Sequence, residues 1–468
     1  MKLRKSSYTI SVKIENERDK YMLIHGYTGA IDIVNFTVDK YLETGVDFSE
    51  DIVPFSKSTL DMLLNRGYLT TKDREEERQH VIKLASLLHK TKKIMHKSFV
   101  FMVAYDCNFR CPYCYESKVL KNSRQWSRRV FSKEMVDKAY NSIFMIEPEH
   151  RLRPNVILLY GGEPLLKDNK DIVEYIVNKG KDLGFRFTAV TNGYDLAEYE
   201  HLLSPECIFM LQVTLDGTEE MHNRRRIHHS GEKTFQKILD NISLALDRGV
   251  NISLRINTDG NNFYDLDGLY LLFKELGFFE KRGKFNPYSA KLFDYSQNED
   301  VTDNSKGNRK LNYLNEREFN LLHKKEKYKY NCNLSDKAQM IKDSILKKKR
   351  LTFSPVYCSA QIGSYILDPF GEIYGCWNEI GVKDKVIGHY FDEEINWTDY
   401  KNHWHSQNIG TSFQCSICKY AFICHGGCIS HNELRKGILE PGYCNDFSET
   451  IKNAVNLAYN YLKQERDN

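Results

Sequence analysis

Ten of the twelve cysteines in this chain fall into two groups, and their spacing constrains the fold more than any other feature. The first group is Cys107-x3-Cys111-x2-Cys114, in AYDCNFRCPYCYE. Three thiolates this close on one loop can hold three irons of a cubane 4Fe-4S cluster and leave the fourth iron without a protein ligand. An iron left open in this way is a site for chemistry. A disulfide framework suits short secreted chains, whereas this one has 468 residues, 41% of them hydrophobic. A structural zinc site needs four ligands, and no fourth Cys or His lies close to this loop. Tyr113, inside the motif, supplies an aromatic wall for a bound ligand.

With these residues the chain resembles the radical S-adenosylmethionine (SAM) superfamily, whose signature Cys-x3-Cys-x-aromatic-Cys is matched by Cys107, Cys111, Tyr113 and Cys114. Downstream, LLYGGEPLL carries Gly161-Gly162-Glu163-Pro164, which the resemblance places against the methionine part of SAM. Paired glycines let backbone approach a ligand closely, and Glu163 can accept from an ammonium. The resemblance makes Cys107, Cys111 and Cys114 the ligands of the catalytic, SAM-binding cluster. It adds Thr214, Arg226 and Asn257 as contacts to the ribose or carboxylate of SAM, with Thr191 on the loop after the third strand.

Apolar runs at 98–104, 155–160, 186–191, 208–215 and 251–257 read as buried parallel strands, separated by helix-period stretches that end near glycines. A sixth strand over 284–293 completes the partial (β/α)6 TIM barrel that the resemblance implies. Chemistry in such barrels sits at the carboxyl ends of strands, and each motif follows a strand. The expected class is therefore α/β, with a radical SAM core over 98–293.

The second cysteine group reads Cys358-x12-Gly371-x4-Cys376, then Cys415-x2-Cys418-x5-Cys424-x3-Cys428, then Cys444. It resembles the SPASM extension, a C-terminal iron–sulfur domain expected over 351–468 with its closing helix. The resemblance gives one auxiliary cluster to Cys415, Cys418, Cys424 and Cys444, and another to Cys358, Cys376 and Cys428. The latter is one ligand short; an open iron there would take a soft substrate thiolate, unless Cys332 closes it. Cys207 reads as a buried small hydrophobe.

Residues 1–72 combine three short strands with two helices and resemble the winged-helix-like element that binds leader peptides. The helix SKSTLDMLLNRGYL has only Lys57 and Arg66 as basic residues, too few for a DNA-reading face. Peptide docking by strand addition along AIDIV is expected, with Ile31, Ile33, Leu60 and Leu64 as contacts. Residues 73–97 read as a charged linker helix and 294–350 as a solvated bridge. A net charge of +4 gives no reason to expect nucleic acid or an anionic membrane. The absence of a long apolar run and the polar start MKLRKSSYT point to the cytoplasm.

The resemblance implies an enzyme with three 4Fe-4S clusters and SAM, reduced by a flavodoxin or ferredoxin and acting on a ribosomal precursor peptide. Sactipeptide and ranthipeptide maturases, which join cysteine sulfur to an α or β carbon, are the nearest type, with freyrasin-type maturases alongside. Carbon–carbon crosslinking, formylglycine formation as in sulfatase maturation, and a non-enzymatic leader-binding scaffold are the alternatives. Sulfatase-maturing enzymes carry an aspartate base directly after the second SPASM cysteine, whereas here Trp377 follows Cys376.

Overall fold

A computed structural model of the chain describes residues 3–44, 53–119, 124–295, 311–323 and 330–467. It is a mixed α/β structure that divides into two compact units. One comprises Met1–Lys93, Cys332–Gln361 and Ser406–Asn468; the other comprises Ile94–Asn331 and Ile362–His405. The segment 351–468, expected as one domain, thus contributes to both. Among the described residues no helix is long and apolar enough to cross a membrane.

In the first unit, β1 (Arg4–Lys5) pairs antiparallel with β5 (Leu69–Thr70), and β2 (Thr9–Lys13), β3 (Tyr21–His25) and β4 (Ile31–Val34) form an antiparallel sheet in that order. The helix Phe36–Glu43 starts at Asn35, whose side chain accepts from the Val38 amide, and Lys57–Arg66 starts at Ser56, which accepts from Thr59. Their apolar faces close a core that includes Leu23, Val38, Leu42, Leu60, Leu63 and Tyr68.

The expected linker forms the helix Arg74–Met95, but it is not a free spacer. Val81, Ala85 and His89 recur every four residues and are buried, and Val81 and Ala85 pack with Tyr8, Ile409, Cys415 and Phe422. The bridge is likewise not wholly solvated. The helix Asn333–Leu346 buries Leu334, Ala338 and Ile341 and packs along the closing helix Phe447–Asp467. In the second unit, Phe319 is buried in the helix Glu316–His323. Residues 296–310 and 324–329 of the bridge lie outside the described residues.

The second unit is built on six parallel strands: β6 (Ser98–Met102), β7 (Val156–Tyr160), β8 (Arg186–Thr191), β9 (Ile208–Leu215), β10 (Asn251–Thr258) and β11 (Phe285–Lys291). Each pairs with the next, so spatial order follows chain order, and all six expected strands form within three residues of their expected ends. Beyond β6 the sheet continues through β12 (Ser364–Leu367), parallel to β6, and then β13 (Glu372–Tyr374), β14 (Gly388–His389) and β15 (Asn396–Trp397), all antiparallel. The β12–β13 hairpin turns at Gly371, where φ is +84° and a Cβ would lie 2.0 Å from the Phe391 ring. The attachment of this hairpin to β6 does not follow from local pattern.

Candidate functional site

The carboxyl ends of the parallel strands open on a cavity of about 540 Å³. Cys107, Cys111, Tyr113 and Cys114 line it from the loop after β6, Gly161 to Glu163 from β7, Thr191 and Asn192 from β8, Thr214 from β9, and Asn257 from β10; Arg226 adds a cation. Every residue expected from sequence to hold the catalytic cluster or SAM therefore faces one space.

The glycine pair, which lines the cavity, has a second physical reason beside the expected room for a ligand. Gly161 has φ +154°, and a Cβ there would meet the Ala104 carbonyl oxygen at 2.4 Å; one on Gly162 would meet that of Tyr105 at 2.4 Å. The close approach is to the backbone that leads into the cysteine loop, which is tied by Gly162 N to Ala104 O (3.0 Å) and Glu163 N to Asp106 O (2.9 Å). Glu163 is also more engaged than a simple ammonium acceptor. Its buried carboxylate receives the Thr191 hydroxyl (2.6 Å) and the amides of Asn192 (2.5 Å) and Leu165 (2.9 Å). Burial nevertheless pushes its pKa up to about 7, against the pull of these bonds. Thr191 is spent on bracing Glu163 and on accepting from Gly193 N.

Asn192, which lies in the loop after β8, is a hub that motif reading missed. Its Nδ2 donates to Asn108 Oδ1 at 2.7 Å and lies 3.9 Å from the Cys107 sulfur, which also receives the Phe109 amide at 3.3 Å. Tyr113 is held by its phenol: the hydroxyl donates to Asp216 and accepts from Arg226 (3.2 Å) and Asn257 (3.4 Å). Asp216 thus organises two of the expected SAM contacts. Arg255, Glu116, Tyr160 and Trp377 also line the cavity without having been expected there; Tyr160 and Trp377 have ring centroids 4.8 Å apart.

The donor set fits a cluster and SAM. Burial raises all three thiols, Cys114 up to about 12, and a bound iron would favour their thiolate forms. Arg226 is buried with Nε unpartnered, an orphan donor that calls for an anionic group such as a carboxylate. Among the described residues no three His, Cys, Asp or Glu side chains converge as tightly as one metal ion requires. A cubane spreads its thiolates over separate irons and does not need that convergence.

In the first unit burial pushes Cys415 up to about 12 and Cys424 up to about 11; Cys444, Cys418 and Cys424 add to the rise of Cys415, and Cys418 and Cys444 to that of Cys424. Tyr420 N donates to Cys418 Sγ and Gln414 Nε2 to Cys444 Sγ, both at 3.4 Å. Four thiols gathered in one neighbourhood, two of them with amide donors, suit a fully ligated cluster. None of the twelve cysteines is disulfide-bonded. Cys207 is buried, as expected, and Cys332 sits buried at the start of the helix Asn333–Leu346. Of the expected peptide contacts, Ile33 is exposed and Leu64 half-buried, whereas Ile31 and Leu60 are buried. Leu60 belongs to the core and is therefore not available to a docked peptide.

Residues 102–269 match the Radical SAM superfamily. The chain carries a radical SAM domain and is an enzyme that uses SAM and a 4Fe-4S cluster. Among characterised proteins it is similar to the cysteine-type anaerobic sulfatase-maturating enzyme of Clostridium novyi (strain NT), with 21% identity over 365 residues, 76% of this chain and 94% of that protein. The solved structure of native anSMEcpe with bound AdoMet superposes with a TM-score of 0.56 at 18% identity, covering 80% of this chain and 100% of that one. Streptococcus suis SuiB aligns over 94% of this chain and 98% of its own, with 14% identity and a TM-score of 0.44. At 18% identity the likeness to anSMEcpe is one of fold.

Proposed function

We propose that this chain modifies a ribosomally made precursor peptide, installing thioether crosslinks from a cysteine sulfur to an α or β carbon of an acceptor residue. Its β6–β11 strands form the partial (β/α)6 barrel of the radical SAM core. Cys107, Cys111 and Cys114 would hold the SAM-binding cluster, which would supply the electron for reductive cleavage of SAM. The chain's own residues do the positioning. Tyr113, pinned by Asp216, Arg226 and Asn257, walls the SAM site, and Arg226 takes the carboxylate. Glu163 braces the loop after β8 and offers an oxygen to the ammonium, while Tyr160 and Trp377 exclude water on the other side.

The reaction balances without an external oxidant. One hydrogen leaves carbon with 5′-deoxyadenosine, the thiol releases a proton, and the electron freed on forming the C–S bond returns to the enzyme. Two auxiliary clusters, on Cys415, Cys418, Cys424 and Cys444 and on Cys358, Cys376 and Cys428, are part of this reading. So are leader docking at the β4 edge through Ile33, a flavodoxin or ferredoxin as reductant, and a cytoplasmic location.

The observation that carries the proposal is Trp377 in the cavity wall. It stands directly after Cys376, where sulfatase-maturing enzymes resemble one another in carrying an aspartate base. The similarity to sulfatase-maturating enzymes favours the second reading, formylglycine formation. Reaction of the reconstituted full-length enzyme with a cysteine-bearing precursor distinguishes them. A product lighter by two hydrogens per crosslink, with that thiol blocked to alkylation, supports the thioether. An aldehyde trapped by hydrazine supports the sulfatase-type oxidation, and loss of two hydrogens with every thiol still alkylatable supports carbon–carbon coupling.

A further inference from the structure

The four-cysteine group has a cationic neighbour from a distant part of the chain. Lys337 lies in the second turn of the helix Asn333–Leu346, 86 positions before Ile423, and its Nζ donates to the Ile423 carbonyl oxygen at 3.1 Å. Ile423 immediately precedes Cys424. The Phe447 ring, at 5.9 Å from Nζ, flanks the ammonium. Lys337 is half-buried.

We infer that Lys337 is a positioning and charge-setting residue that holds the cluster on Cys415, Cys418, Cys424 and Cys444 at a more positive reduction potential than its thiolates alone would give. Reducing a cluster adds a negative charge, so a fixed cation stabilises the reduced form more than the oxidised form. Partial burial keeps the interaction from being screened by salt. Placing an ammonium there costs desolvation, whereas a methionine would fill the same space without that cost. The bond to Ile423 pins the charge beside the ligand loop. Electrons released in turnover would accordingly settle more readily on this cluster.

The inference rests on the proposal that these four cysteines hold a cluster, and the test separates the two claims. Full-length wild-type, Cys424→Ala, Lys337→Met, Lys337→Gln and Lys337→Arg proteins are reconstituted anaerobically, counted for iron and sulfide, and titrated by electron paramagnetic resonance against potential. The reduction wave lost in Cys424→Ala identifies the cluster. In Lys337→Met and Lys337→Gln that wave should move to a more negative potential while the other waves stay, and in Lys337→Arg it should remain near the wild-type value. A wave at the wild-type potential in either neutral variant, with iron content intact, overturns the role of Lys337. If Cys424→Ala loses neither iron nor a wave, the cluster assignment itself is wrong and the inference falls with it. Should one neutral variant load poorly, the other supplies the same loss of charge.

Discussion

The two cysteine groups solve different problems with the same ligand. Cys107, Cys111 and Cys114 open on a cavity whose wall is polar and partly unspent, with Arg226 Nε unpartnered and Tyr113 fixed by its phenol. Of Cys415, Cys418, Cys424 and Cys444, proposed above to hold an auxiliary cluster, Cys418 receives a backbone amide and Cys444 a side-chain amide, and Cys444 is at the surface. A loop one ligand short lies beside space for a small molecule, whereas a loop with its full set can be wrapped by short helices. On the proposed reading, ligand count separates the cluster that binds SAM from the four-ligand cluster that stores charge.

The sharpest way to break this comparison is to remove one ligand from each group. Cys111→Ala should abolish SAM cleavage by dithionite-reduced enzyme, measured as 5′-deoxyadenosine formed. Cys418→Ala should lose about four irons per chain, one cluster's worth, yet retain SAM cleavage within a few-fold of wild type. Equal loss of cleavage in both variants, with the first cluster still loaded in the second, would erase the distinction.

Within the first site, Glu163→Gln probes whether bracing matters as much as ligation. The carboxylate receives three donors, and an amide can accept at only one of its two terminal atoms. Leaving a buried donor unsatisfied costs about 1–3 kcal/mol, so SAM affinity should weaken by roughly tenfold or more on the scale of about 1.4 kcal/mol per decade. The variant should still assemble its cluster. SAM affinity equal to wild type would reduce Glu163 to a bystander.

Much of this architecture was legible because it is written locally. Each parallel strand is an apolar run with a motif at its end, and Asn35 and Ser56 mark helix starts. The cysteine spacings also place their loops directly. What sequence concealed is made by partners far apart in the chain. Asn192 reaches Asn108, Asp216 holds Tyr113, and Lys337 meets Ile423 across 86 positions. Gly161 and Gly162 were read as space for a ligand, and they also permit contact with the backbone of residues 104–106. The helix Arg74–Met95 was read from its charges, although Val81, Ala85 and His89 at four-residue spacing already marked a buried stripe.

The finest contrast is between the two units, which should respond to acid in opposite senses. In the first, His25 is buried and neutral: Nδ1 accepts from Thr28 N at 3.1 Å, Nε2 faces Ser6 Oγ at 3.0 Å, and burial lowers its pKa from 6.5 to about 4. A second proton would have to enter on Nδ1, against the Thr28 amide. The unfolded chain therefore binds more protons between pH 4 and 6.5, and this contribution is fully present above 6.5 and lost as pH falls toward 4. In the second unit, Asp368 is buried, accepting from Tyr105 (2.8 Å) and from the amides of Phe370 and Glu372, and burial raises its pKa from 3.8 to about 7. There the folded form binds the extra proton, so stability is greatest at low pH and is lost as pH rises toward 7. The size of each shift bounds the effect at about 3 kcal/mol for His25 and about 4 kcal/mol for Asp368. His25→Gln should therefore flatten the fall in melting temperature between pH 7 and 5, and Asp368→Asn should steepen it by removing the opposing contribution. Parallel pH profiles for wild type and both variants would show that neither group titrates as its surroundings dictate.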